Sequence, residues 1–269
     1  MINFFRKIRQ RLITENKFSK YLLYAIGEIV LVVIGILIAL SINNWNEGRK
    51  NNLRLTSHYL ELKDELNYDL ERWQDLVNQL IAIDSMGIYL RSFLDDEIVA
   101  VDSIKLKRSF LSAGWYATFS ISSVAYNNLV SSGDIHLIEN KKLKRKLGSI
   151  HAKEGWGQSA LYGIVNQSIE DYHNYRHRFT EPMMTRTFFN NNIAAVTDSQ
   201  NFETLDKTLN DFSITWNNVK RDQEYSIKLD RLLEGRLTQK MHYYLYREEM
   251  LEILDLLDEV LNSKKQYAS

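Results

Sequence analysis

Glu170, His173 and His177 are the residues whose types and spacing come nearest to a chemical pattern. Three and four residues apart on a helix, they point the same way. A Glu-x-x-His unit is what carboxylate-bridged di-iron bundles take from each of two helices, beside two further Glu. This chain offers one such unit, inside the polar and aromatic run EDYHNYRHR at 170–178. A solvated helix face explains that run better than a metal site does, so no metal and no cofactor is assigned. The absence of cysteine removes thiolate ligands, cysteine nucleophiles and disulfides. Gly155-Trp156-Gly157 has no preceding strand and no following GK[ST], so it is not a phosphate loop. There is no G-x-S-x-G and no HExxH. Ser132-Gly133-Asp134 reads as a helix stop, and Tyr243, Tyr244 and Tyr246 as core or interface. These readings predict a protein that is not an enzyme.

A second chemical oddity is Glu28, the one charge in the apolar stretch Tyr21–Ile42. A bilayer core about 30 Å thick needs about 20 apolar residues at 1.5 Å each, so a span is assigned to residues 21–43. At 100° per residue Tyr24, Glu28, Leu31, Gly35 and Ala39 fall on one side. Gly35-xxx-Ala39 is a small-xxx-small pair that permits close backbone approach. A carboxyl within a span marks a functional site by default. Three readings stand side by side: a self-association seam, a carboxylate snorkelling to the headgroups, and a proton or ion role.

Residues 1–20 hold Arg6, Lys7, Arg9, Arg11, Lys17 and Lys20 against Glu15, while Arg49, Lys50 and Arg54 follow the span. That asymmetry places the N-terminus in the cytoplasm and residues 44–269 outside the inner membrane, in the periplasm. Tyr21, Tyr24 and Trp45 sit where interfacial aromatics belong. The rival is a cleaved signal peptide, for which Ala39-Leu40-Ser41 supplies a small-x-small site. A 20-residue basic region and the interruption at Glu28 oppose it. Phe4, Ile8 and Leu12 recur every four residues in the basic stretch 3–14. It either lies on anionic lipid of the inner leaflet or is a tail that only sets topology.

The run from Phe4 to Glu47, with Gly27–Ile29 (GEI) and Ile42–Glu47 (INNWNE) at its heart, resembles the N-terminal signature of an uncharacterised family of Bacteroidota membrane proteins. Ser41 stands where Gln is usual in that pattern. Tyr126–Asn140 (YNNLVSSGDIHLIEN) looks like a second recurrent element. The resemblance implies a single-span envelope protein whose domain has no known function, and it implies no activity.

The elements that must position these residues are helical. There is one proline, Pro182, and 11 glycines in 269 residues, too few turn residues for an all-β domain. Leu55, Tyr59, Leu62, Leu66, Leu70, Trp73, Val77 and Leu80 are spaced three and four apart, which predicts a long amphipathic helix continuing the span as a stalk. Its stripe either packs within the subunit or forms a coiled-coil seam. The pattern predicts a break at Leu94–Glu97, a short helix over 103–113, and an aromatic segment GWYATFS at 114–120. A helix from about Ser123 to Ser132 should stop at Gly133 as a left-handed cap, and Asn140 should cap the next helix, over 141–178. Thr180–Ser199 reads as a long connection. From Phe202 the chain should be helical almost to its end, with a bend near Gly235. The expected fold is all-α: one N-terminal transmembrane helix continuing into an extracytoplasmic antiparallel helical bundle.

Zero net charge argues against a nucleic-acid partner. The basic run Lys141–Lys146 either meets an anionic surface or is a solvated face. Expected partners are therefore membrane lipid, a second copy of the chain, or another envelope protein. The expected function is an anchored interaction, scaffold or sensor domain. The alternatives are a metal enzyme built on Glu170, His173 and His177, and an accessory subunit of an ion- or proton-coupled complex using Glu28.

Overall fold

A computed structural model describes residues 18–115, 119–180, 209 and 213–266. The described residues are all-α, with no strand among them. They form α1 (Phe18–Leu94), α2 (Ser103–Ser112), α3 (Val124–Ser131), a 3-10 turn (Asp134–Leu137), α4 (Lys141–Arg176), a second 3-10 turn (His177–Phe179), α5 (Trp216–Arg221) and α6 (Gln223–Gln266). The chain divides into two compact units, Met1–Ser57 and His58–Ser269. The stretch 3–14 and the connection 181–199 lie outside the described residues.

In the first unit, α1 carries a continuous apolar run whose large side chains no described residue buries. Large side chains from Ile26 to Ile42 are exposed on every side of the helix, among them Leu31 at 72%. This is one helix long and apolar enough to cross a membrane, and none of its apolar window is buried.

In the second unit α1 becomes amphipathic. Tyr59, Leu62, Leu66, Trp73, Val77 and Leu80 are buried, each worth roughly 1.5–3 kcal/mol when fully removed from water. The stripe departs from its expected line at one place. Leu70 is only half-buried, and the fully buried position between Leu66 and Trp73 is Asp69. The helix phase places Asp69 inward, and the carboxylate is tolerated because it accepts three hydrogen bonds there.

α1 ends at Leu94, where Asp96 takes a left-handed φ of 59°. Asp102 caps α2, its side chain accepting from the Ile104 and Lys105 amides. Past α3, Gly133 adopts φ 78°, the left-handed stop that suits glycine. Asn140 caps α4 by accepting from the Leu143 amide.

Cross-links set the directions of the three long helices. Lys63 pairs with Asp258, the Trp73 indole donates to the Tyr243 carbonyl, Lys240 pairs with Asp84, and Arg91 bonds Ser226. α6 therefore runs antiparallel to the 58–94 part of α1. Lys146 meets Glu252, and Tyr175 donates to Asp222. α6 is therefore antiparallel to α4 as well.

The expected bend at Gly235 is absent: α6 runs unbroken through it. The break lies earlier, at Asp222, between α5 and α6. Gly235 serves close packing instead. A Cβ there would stand 3.0 Å from the Ser168 hydroxyl of α4, so the missing side chain lets the two helices approach.

Candidate functional site

The densest polar chemistry among the described residues surrounds the turn that follows α2. Two arginines are almost fully buried, Arg176 on α4 and Arg236 on α6. Arg176 donates to the Phe110 and Leu111 carbonyls. Arg236 donates to Ile83, Ala113 and Trp115. His173 shares a 2.8 Å hydrogen bond with the Gly114 carbonyl. The exposed carbonyls at a helix C-terminus carry partial negative charge, and here buried cations and an imidazole meet them. Burial pulls Arg236 down to about 10, so it remains charged at neutral pH.

Gly114 is required by this arrangement. A Cβ on it would come within 2.6 Å of the His173 ring. Beneath the arginines, the Tyr172 hydroxyl donates to the Phe110 carbonyl and pairs with the Tyr225 hydroxyl at 2.8 Å. Both phenols are buried, and burial raises their pKa. They are neutral structural donors.

The three residues that make a weak metal candidate do not converge. His173 faces Gly114, whereas Glu170 and His177 are exposed. Desolvation first, then the Arg176 guanidinium, lowers His173 to about 4. Its imidazole is neutral at pH 7, with Nε2 carrying the proton it donates to Gly114. Among the described residues no group of three or more His, Asp or Glu side chains is placed to hold a metal ion. The acceptors in this region are main-chain carbonyls already bound by arginine and histidine.

A second polar set joins α1 to the segment that follows. Asp69 accepts from the Ser122 amide at 2.7 Å, from the Ser122 hydroxyl at 2.8 Å and from Arg72. Glu65 accepts from the Ala125 amide at 2.9 Å. Ser123 makes no side-chain cap for α3, so a carboxylate from another helix caps it. His58 and Asp134 complete the row at 3.1 Å. Burial raises the Glu65 pKa. Sequence patterning missed these residues because it reads stripes by apolar type. The available signal was Glu65 and Asp69, one turn apart on the inner line of α1.

The basic run at the start of α4 has an internal partner. Lys142 and Lys146 both bond the Glu252 carboxylate, at 2.8 and 2.5 Å, and hold its pKa down at about 2. Of the membrane seam, Glu28 is half-exposed, Leu31 and Ala39 are exposed, and Gly35 has open space around it. The Tyr24 side chain lies outside the described residues.

No curated protein and no solved structure matches the chain. A matched family region runs from within α1 to within α4, taking in the Asp69 and Glu65 contacts but neither Arg176 nor α6. Residues 28–157 match the model of a family of unknown function (DUF6090).

Proposed function

We propose that the chain is a single-span envelope protein that works through contacts, as a scaffold or sensor domain. One observation carries this reading: the apolar run of α1 is exposed on all sides, whereas the same helix from Tyr59 onward buries a stripe. An apolar surface of that extent needs a non-aqueous partner, and the length suits a bilayer. Six basic residues before the span against three soon after it favour a cytoplasmic N-terminus and a periplasmic His58–Ser269 unit. The resemblance of the N-terminal run to a signature of Bacteroidota membrane proteins supports the reading. The contact reading is supported by where the polar groups go. Arg176, Arg236, His173, Glu65 and Asp69 are spent on holding backbone, and the Gly35/Ala39 face of the span suits close approach of another helix.

Alkaline washing of membranes from cells making the full chain tests the anchor. The 31.6 kDa protein should stay in the membrane pellet. Release of a form shortened to the residues after Ser41 would overturn the anchor and identify 1–41 as a leader.

A further inference from the structure

Six large apolar side chains of the His58–Ser269 unit lie in water along one strip. On α6 these are Leu237, Met241, Tyr244 and Leu245, spaced four, three and one apart, with Met241 at 62% and Leu245 at 64% exposure. On α1 they are Ile81 and Ile88, seven apart and each about half exposed. The Lys240–Asp84 pair lies between the two groups, and the Trp73 and Tyr244 rings meet at 5.3 Å. At 100° per residue, Ile81 and Ile88 fall on the flank of α1 opposite Glu65 and Asp69. On α6, Leu237, Met241 and Tyr244 fall about 120–180° from Gly235, which faces α4, whereas Leu245 lies about 80° from it, at the edge of the strip and on the line of Glu252. Apart from that edge, the strip occupies the outer side of the α1–α6 pair.

We propose that this strip is a contact surface for a second copy of the chain. From their fractional exposures the six residues leave on the order of 600 Å² uncovered, at the upper end for the largest apolar patch of a monomer and near the ~800 Å² a partner contributes to a standard interface. Two charged pairs along it are made within the chain, Lys240 with Asp84 and Arg247 with Glu248, and the exposed Glu234 marks its end. Between these groups the strip presents an apolar face. A two-fold interface brings one patch against itself and requires self-complementarity. An apolar face satisfies that. The proposal rests on the reading of the chain as one that works through contacts, but it does not depend on the span.

The chain has no cysteine, so a single introduced thiol is the only one present. Full-length Met241→Cys, Tyr244→Cys and Leu245→Cys variants in native membranes are treated with copper–phenanthroline. Ile164→Cys, an exposed position on α4, is the control. At least one strip position should give a disulfide-linked dimer well above the control. Adding Met241→Asp should cut cross-linking at Leu245→Cys by on the order of tenfold, because an unpaired charge would be buried. Yields no higher than the control at all three positions overturn the proposal, as does an adduct with a different protein. Ala39→Cys reads the span separately. A dimer there with none at the strip leaves the membrane seam standing and removes the strip. A strip dimer from a chain that washes off the membrane retains the strip and removes the anchor.

Discussion

Arg236 is the residue whose loss should be felt most. Its guanidinium serves the Ile83, Ala113 and Trp115 carbonyls from a buried position. Arg236→Met keeps much of the volume and leaves those acceptors bare, at about 3 kcal/mol or more. Urea unfolding of the full chain in detergent measures this, and a loss below about 1 kcal/mol would show that the carbonyls have other partners. Gly114→Ala forces the His173 ring from its place and should cost about 1–3 kcal/mol. In a His173→Ala background the same change should cost much less, since the ring it collides with is gone. Histidine also sets a pH dependence. Burial lowers His151 and His173 from 6.5 to about 4, with Arg176 and Arg236 facing His173 and the Tyr126 ring stacked on His151. Between those values the unfolded chain binds protons that the folded chain does not, so stability falls as pH drops from about 6.5 towards 4. His151→Phe with His173→Gln should flatten the decline in urea midpoint between pH 7 and 5. Glu252 acts in a lower window: its pKa is held down at about 2 by Lys142 and Lys146, so its contribution is intact above about 4.5 and fades as pH falls towards 2. None of these partners was legible in the sequence. The Glu170, His173, His177 pattern was visible because it is local, whereas the contacts of His173 and Arg176 are made to residues more than 50 positions away.

Helix boundaries were legible where local chemistry sets them. Gly133, Asn140 and the acidic turn after Leu94 act where the sequence suggested, because a cap is made by residues within a few positions. Gly235 was misread because its reason is tertiary. An isolated glycine suggests a bend, yet here it admits Ser168. Two glycines therefore separate the effects. Gly235→Val should cost about 1–3 kcal/mol by overpacking α4 against α6. Gly163→Ala, with open space around it, should gain about 0.5–1 kcal/mol from helix propensity. Equal effects from the two changes would contradict the close-packing role. The same limit hid Asp69, which continues the apolar line of α1 in place of Leu70 because Ser122 and Arg72 satisfy it.

At the scale of the whole molecule, the division at Ser57 separates two kinds of surface. Residues 25–42 expose apolar side chains on all sides, while the unit from His58 buries Arg176, Arg236 and Asp69 and leaves Leu237, Met241 and Tyr244 exposed. The first was legible because an apolar run long enough to cross a membrane is a matter of length and composition. The second was not, because exposure on an amphipathic helix depends on which neighbours cover it. The central proposal is that α1 crosses a bilayer with the N-terminus inside and His58–Ser269 outside. The most direct measurement is labelling of single-cysteine variants with a membrane-impermeant maleimide, using Asn3→Cys and Gln79→Cys in the otherwise cysteine-free full chain. Gln79→Cys should label in intact spheroplasts, and Asn3→Cys only after the membrane is opened. Labelling of Asn3→Cys in intact spheroplasts with Gln79→Cys protected would reverse the orientation. Protection of both until lysis would contradict the crossing itself.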